Sequence, residues 1–401
     1  MSDIDRDAPP LRVLHVGKFF PPHPGGMETY LRDLMNVQKR QGLSVMALVH
    51  ASQRGLIDSE ESIDALDGTT YKVMRSARWL NLGFVPVSPG FIWSAFKAIK
   101  QFKPDIIHIH HPNSSAMWLL LLPPARRIPW VAHWQSDIET PSSSKLVKFL
   151  YQIYRPIEQA ILRKTARIIA TSPPYLESSA ALASHKIKCE IIPLGLDPFR
   201  LPRAEQVTAL DRPNKPLILF VGRLATYKGL HNLVEALGEL EGAHCWIVGD
   251  GPLRSLLERT IQKLQLVDRI TLVGAASEAD KWRLYRTCDL LVLPSVEKTE
   301  SFGMVLLEAT HFQRPVVVTD AAGSGMVWVA EQLPGSRVAK ANAPASLAQE
   351  LAASLQASSR KSPPEISARR SRFDLVQQSQ QISGQYQVIL ASAPDHVGSG
   401  F

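Results

Sequence analysis

Cysteine is scarce in this chain: Cys189, Cys245 and Cys288 are scattered over 401 residues. An odd, dispersed set excludes a disulfide framework, and no pair has zinc-site spacing. Each lies in or beside an apolar run, the setting of a small core residue. Long hydrophobic runs are missing too. The longest, Ala116 to Leu122 before Pro123-Pro124, falls far short of the roughly 20 residues a membrane span needs. Met1 to Pro10 has neither the basic nor the apolar region of a signal peptide, so residues 1–10 are expected to be a flexible tail and the protein cytoplasmic. Gly17 and Gly25 stand too far apart for a G-x-G-x-x-G fingerprint, which disfavours a nicotinamide oxidoreductase. No DNA- or RNA-binding motif is present, and nucleic acid is not an expected partner. An Asp-x-Asp occurs at Asp3-Ile4-Asp5, ahead of the first strand; no metal and no cofactor are expected.

What is present is globular: 45% hydrophobic and 20% charged residues, in a chain too long for one ordinary core. The net charge of +8 is uneven. Residues 1–200 carry 24 Lys+Arg against 17 Asp+Glu (+7), and residues 201–401 carry 21 against 20 (+1). A basic first half suits an anionic partner, with a membrane surface or a lipid diphosphate as candidates. Short apolar strands alternate with helical patterns, as in parallel α/β sheets. Strands are predicted at Arg12 to Gly17, Ser44 to His50, Asp105 to His110, Trp130 to His133, Ala166 to Thr171 and Glu190 to Pro193. A second set is predicted at Leu217 to Gly222, His244 to Gly249, Ile270 to Gly274, Leu290 to Pro294 and Pro315 to Thr319. The break falls near Asp197 to Pro216, which holds four prolines and no sustained apolar period. Two Rossmann-like domains are therefore expected, residues 11–200 and 201–371, facing each other across a cleft.

The densest chemistry lies in Glu300-Ser301-Phe302-Gly303-Met304-Val305-Leu306-Leu307-Glu308, where two carboxylates eight residues apart flank a Phe-Gly turn. The preceding strand ends at Pro294 and a helical pattern begins at Val305, so Glu300 is placed on a loop at the carboxyl end of a strand. Gly303 sits where the N–H groups of the next helix open, and Glu308 is one to two turns further on. Carboxylates in such a crevice suit sugar hydroxyls, which present several donors at once. Arg223 and Lys228 follow another strand, close to the start of a helix near Gly229. Two fixed cations and a helix amino end would neutralise a departing diphosphate without a metal. Gly25-Gly26 opens a helix after the first strand and lets backbone N–H groups approach phosphate.

These segments resemble the retaining glycosyltransferases of the GT-B fold, family 4 type. Glu300 to Glu308 resembles the E-x7-E signature, Phe220-Val221-Gly222-Arg223-Leu224 to Lys228-Gly229 the phosphate-binding segment, Gly25-Gly26-Met27-Glu28 the glycine loop, and Ile192-Pro193-Leu194-Gly195-Leu196-Asp197 the hinge approach. The resemblance implies a GT-B fold whose last helix, in residues 372–401, crosses back to the first domain. It implies a nucleoside diphosphate sugar as donor: ribose on Glu308, diphosphate on Arg223 and Lys228, sugar on Glu300 and on the backbone of Phe302, Gly303, Met304 and Val305. Gly25, Gly26 and His133 would approach from across the cleft, His133 like the family histidine that contacts the donor sugar. Asp137 is the candidate for the acceptor hydroxyl. Same-face substitution in this family needs no protein nucleophile.

Departures narrow the expectation. Glu-Ser-Phe-Gly replaces the usual Glu-Gly-Phe-Gly, and Ala321 to Trp328 replaces the commoner Gly-Gly-x-x-Glu. The latter, with His133-Trp134-Gln135-Ser136-Asp137-Ile138, is similar to bacterial polysaccharide mannosyl- and rhamnosyltransferases. The expectation is a hexose transferred from GDP-mannose to a lipid-linked saccharide in O-antigen or exopolysaccharide assembly. A UDP-hexose transferase and a sugar-nucleotide epimerase of the same architecture are the alternatives. His108, His110 and His111 are read as sheet and cleft structure. Arg75 to Lys97 and Lys145 to Arg155, which interleave aromatics with cations, are candidates for contact with the inner membrane surface.

Overall fold

The computed structural model describes residues 9–64, 68, 70–82, 85–138, 145–358 and 370–392. The segments 1–8, 359–369 and 393–401 lie outside the described residues, and with them Asp3-Ile4-Asp5, most of the expected tail and part of the linker before the last helix.

Each apolar run read as a strand forms one. The first half contains β1 (Arg12–Val16), β2 (Ser44–Arg54), β3 (Ser59–Asp64), β4 (Thr70–Arg78), β5 (Leu80–Leu82), β6 (Val85–Val87), β7 (Ile106–His111), β8 (Trp130–Trp134), β9 (Arg167–Ala170) and β10 (Cys189–Ile191). Its helices are α1 (Gly26–Arg40), α2 (Phe91–Phe102), α3 (Pro123–Arg127), α4 (Lys145–Lys164) and α5 (Pro173–Ser178). The second half contains β11 (Leu217–Val221), β12 (His244–Val248), β13 (Ile270–Gly274), β14 (Leu290–Leu293), β15 (Val316–Thr319) and β16 (Arg337–Ala339). With them run α6 (Leu230–Glu239), α7 (Arg254–Lys263), α8 (Glu278–Thr287), α9 (Met304–His311), α10 (Met326–Ala330), α11 (Pro344–Ser358) and α12 (Leu375–Ser392).

Among the described residues the first sheet runs β10-β9-β8-β7-β1-β2-β4-β3, parallel except for β3. The second runs β13-β12-β11-β14-β15-β16, parallel throughout. Helices cover both faces of such sheets, which is why β11 and β14 are apolar and buried at every position. The strands missing from the sequence reading are β3 to β6 and β16. β3 is a polar edge strand, Ser-Glu-Glu-Ser-Ile-Asp, with no apolar run. β4 hides two cations, Arg75 and Arg78, among its buried positions. Arg75 pairs with Glu61 on β3 and donates to the Phe20 and Pro21 carbonyls. Arg75 and Arg78 are therefore held inside the fold, and these two cations of the candidate membrane-contact segment are not on offer to a membrane surface.

The last helix crosses back as expected. Leu196 and Asp374 form a parallel bridge, carried by Leu196 N–H to Phe373 O and Leu375 N–H to Leu196 O. From there α12 lies on α1: Gln41 donates to Val376 O at 2.9 Å, and Ser379 Oγ donates to Gln41 Oε1 at 2.7 Å. Leu375, Ile382 and Tyr386 of α12 are fully buried. The two aliphatic ones each contribute about 1.5–3 kcal/mol on complete burial. Removal of this helix would therefore open the first domain as well as the second.

Candidate active site

The order of the second sheet reverses between β11 and β14, so the loops leaving these strands diverge to opposite faces and open a crevice beyond their carboxyl ends. The loop after β11 carries Arg223, exposed, and Lys228, buried. It ends at Gly229, which caps α6 at φ +63°; a Cβ there would lie 2.0 Å from the Pro294 carbonyl oxygen. Only glycine permits that approach, and it draws the β11 loop against the end of β14. The loop after β14 carries Glu300 and buried Phe302, then turns into α9 at Gly303 with φ +83°. Lys228 Nζ consequently pairs with Glu300 Oε2, on which Ser295 Oγ also rests at 3.4 Å. Glu308, inside α9, is 5% exposed and accepts from Tyr285 OH at 2.8 Å and Lys281 Nζ at 3.3 Å. Lys228 and Glu300 thus meet at the ends of β11 and β14, Glu308 lies further along α9 with Lys281 and Tyr285, and Arg223 stands exposed on the β11 loop.

The first domain approaches through pairs that sequence reasoning missed. Arg200, between the two sheets, lies 2.6 Å from Asp33 of α1, 2.5 Å from Glu278 of α8 and 3.7 Å from Glu308. Burial alone would lower the Arg200 guanidinium, but Asp33, Glu308 and Glu278 together outweigh it and raise it. Burial raises Asp33 despite Arg200 and Arg32. Lys298, two residues before Glu300, donates to Asp137 Oδ2 at 2.8 Å and to Ser178 O at 3.0 Å. Asp137 Oδ1 also accepts from Trp134 Nε1 at 2.9 Å and Ser179 Oγ at 2.6 Å. Asp137 therefore spans the cleft. Arg200 and Lys298 gave no sequence signal beyond adjacency to the hinge and the E-x7-E segment.

Gly25 is the N-cap of α1, and its open space is taken by the Glu28 carboxylate, which would meet a Cβ there at 2.0 Å. Glu28 is buried and raised, mainly by that burial. His133 is fully buried on β8, where burial first and His15 second pull it down to about 3. It is a neutral imidazole with Tyr30 edge-on at 5.2 Å. Neither ring nitrogen has a hydrogen-bond partner among the described residues. It stands in a cluster with His15, His108 and His110; His111 points to the other face, against Trp134. β1 adds His15 to the cluster, which no local pattern had marked.

Two facing Rossmann-like units, a crevice with acids and lysines on converging loops, and a last helix that returns to the first unit define a nucleotide-sugar glycosyltransferase of the GT-B fold. Comparison with known proteins agrees. The family described as "Glycosyltransferase Family 4" matches residues 24–200, and "Glycosyl transferases group 1" matches residues 203–369. The O-antigen chain mannosyltransferase C of Escherichia coli is 31% identical over 77% of this chain and 79% of its own length. The D-rhamnosyltransferase WbpZ of Pseudomonas aeruginosa is 30% identical over 60% of this chain and 62% of its own. Among solved structures, the sucrose-phosphate synthase of Thermosynechococcus elongatus superposes with a TM-score of 0.75 at 18% identity, covering 96% of this chain and all of that one. HepE of Anabaena, in complex with UDP-glucose, gives 0.68 at 19% identity over 94% of this chain and all of its own. The chain belongs to the family 4 glycosyltransferases.

Proposed function

We propose that the protein is a retaining hexosyltransferase that moves mannose from GDP-mannose to a hydroxyl of a lipid-linked saccharide, in assembly of a bacterial surface polysaccharide. The observation that carries the reading is the pairing of Lys228 with Glu300 and of Lys281 and Tyr285 with Glu308. The choice of mannose is supported by the activity named for the Escherichia coli relative. The donor diphosphate draws Lys228 from Glu300 and gains Arg223 from the rim. Freed, Glu300 accepts from hexose hydroxyls while Glu308 accepts from the ribose. As the anomeric C–O bond breaks, charge grows on the β-phosphate, where Lys228, Arg223 and the N–H groups of Gly303, Met304 and Val305 lower its energy. The acceptor oxygen then bonds to the same face of the anomeric carbon, and its proton passes to the departing phosphate oxygen. Neutral, buried His133 supports this geometry as a hydrogen-bonding group, since an imidazolium there would oppose the developing positive charge of the sugar. Gly25 and Gly26 close the phosphate side from the first domain, and Asp137, already bound to Lys298, aligns the acceptor hydroxyl.

No helix among the described residues is long and apolar enough to cross a membrane. Contact with the inner membrane face is supported by Trp93 of α2 and by Phe149 and Ile153 of α4, which are 75%, 60% and 57% exposed. Aromatics of this kind sit at headgroup level. A panel of nucleotide sugars, followed for donor hydrolysis and for transfer to polyprenyl-diphosphate saccharides, tests the proposal. Preference for GDP-mannose with an α-linked product supports it. Preference for a UDP-hexose would replace the donor, an inverted product the stereochemistry, and epimerised donor without transfer the whole reading.

A further inference from the structure

Sheet geometry gathers four imidazoles. His15 of β1 is in register with His108 of β7, and His110, two residues on, is in register with His133 of β8. Residues paired across strands, or two apart along one, share a face. That face lies under α1 and α12, and all four rings are at most 5% exposed. One ring nitrogen from each of His15, His108 and His110 lies within 4.8 Å of those of the other two.

The outer nitrogens are held from behind. His15 Nε2–H donates to Gln38 Oε1 at 2.7 Å, which fixes the tautomer and leaves the Nδ1 lone pair turned inward, 3.0 Å from His110 Nε2. His108 Nδ1 lies 2.5 Å from Tyr386 OH of α12, and Gln135 Nε2 donates to His110 Nδ1 at 3.4 Å. His108 Nε2 has no partner among the described residues despite complete burial, nor has Gln135 Oε1. An orphaned buried polar atom costs about 1–3 kcal/mol, so a purely hydrogen-bonded cluster leaves this face short of partners.

We propose that His15, His108 and His110 bind one divalent transition ion of the zinc class. The fourth position is taken by a water, His133 being the group assigned to the donor sugar. Metal–nitrogen bonds of about 2.0–2.1 Å in a tetrahedron put ligand nitrogens about 3.3 Å apart and ring centroids about 5 Å apart. The observed centroid separations are 5.1, 5.3 and 4.6 Å. Imidazole-only sites suit zinc, copper and nickel, and an acceptor behind the ring, here Gln38 for His15 and Tyr386 for His108, is how such ligands are oriented; for His110 the Gln135 amide turns over on metal binding, so that its unpartnered Oε1 accepts the Nδ1–H. Through Tyr386 the ion fastens the returning α12 to the first sheet. It is a clamp on the fold, separate from the diphosphate crevice on β11 and β14.

The full chain, stripped with a chelator and desalted, is titrated with Zn²⁺ and separately with Co²⁺. The expected result is one ion per chain by elemental analysis, the visible bands of four-coordinate cobalt, and a higher melting temperature with zinc than without. His15→Gln and His108→Gln abolish the cobalt bands. Gln38→Leu weakens metal affinity about 10–100-fold, the usual effect of removing an outer partner, and His111→Gln, on the opposite face, leaves it unchanged. Absence of the bands in wild type, or no stoichiometric uptake and no thermal shift, overturns the proposal even if the histidine variants misfold. So does equal loss of metal in His111→Gln.

Discussion

Lys228→Ala separates the static role of this lysine from its role in turnover. In the structure its side chain is 10% exposed and its ammonium group faces the carboxylate of Glu300, a side chain itself 13% exposed. Deleting the lysine leaves that carboxylate with Ser295 Oγ at 3.4 Å. Breaking one side of a buried pair costs about 3 kcal/mol or more, so urea denaturation should show a loss of that order. Lys228→Ala with Glu300→Gln removes both charges, and the double variant should recover about 1–3 kcal/mol relative to the sum of the singles. Turnover behaves differently. A preorganised stabiliser of leaving-group charge is worth about two to three orders of magnitude in kcat, and neutralising Glu300 returns none of it. The assay is a double-mutant cycle read twice, by urea midpoint and by initial rate with saturating donor. Additive stability effects, or a Lys228→Ala enzyme within a few-fold of wild type, would refute the assignment of Lys228 to both partners.

Arg200→Met leaves Asp33 and Glu308 buried without their shared cation; a loss of about 3–5 kcal/mol in urea is expected, with weaker nucleotide binding because Glu308 is no longer held. Acid should destabilise the first domain of the metal-free chain. His15 and His111 are held at about 4 and His133 at about 3 by burial, against 6.5 in the unfolded chain. The unfolded state therefore takes up protons first, and stability is lost as pH falls from 6.5 towards 4. At pH 5.5 each of the three costs about 1.4 kcal/mol relative to pH 7.5, which a comparison of urea midpoints at the two pH values checks. Added Mg²⁺ or Mn²⁺ should leave initial rates unchanged, because Lys228 and Arg223 carry the diphosphate; strict dependence on either ion would contradict that assignment.

Parallel strands such as β11 and β14 were legible because burial on both faces leaves uninterrupted apolar runs. β3 and β4 were not, because β3 is a polar edge strand and β4 buries the cations Arg75 and Arg78, whose charges read locally as surface. The same limit applied to the site. Glu300, Glu308, Lys228 and Gly303 were visible as a spacing. Arg200, Lys298 and Tyr285 matter through partners 23 to 167 positions away, from Tyr285 with Glu308 to Arg200 with Asp33, and no short window of sequence contains both ends. His15 is the clearest case. Its neighbours His108 and His110 lie more than 90 residues further on, joined to it only by the pairing of β1 with β7.

The orientation of the donor across the E-x7-E segment is the central claim, and calorimetry with the bare nucleoside diphosphate tests it most directly. Glu308→Gln should weaken GDP binding by about 1.5–3 kcal/mol, the scale of a charge-assisted hydrogen bond. Glu300→Gln should leave GDP binding almost unchanged while sugar transfer falls, because its partners are on the hexose. Equal weakening of bare GDP by the two variants would contradict the account.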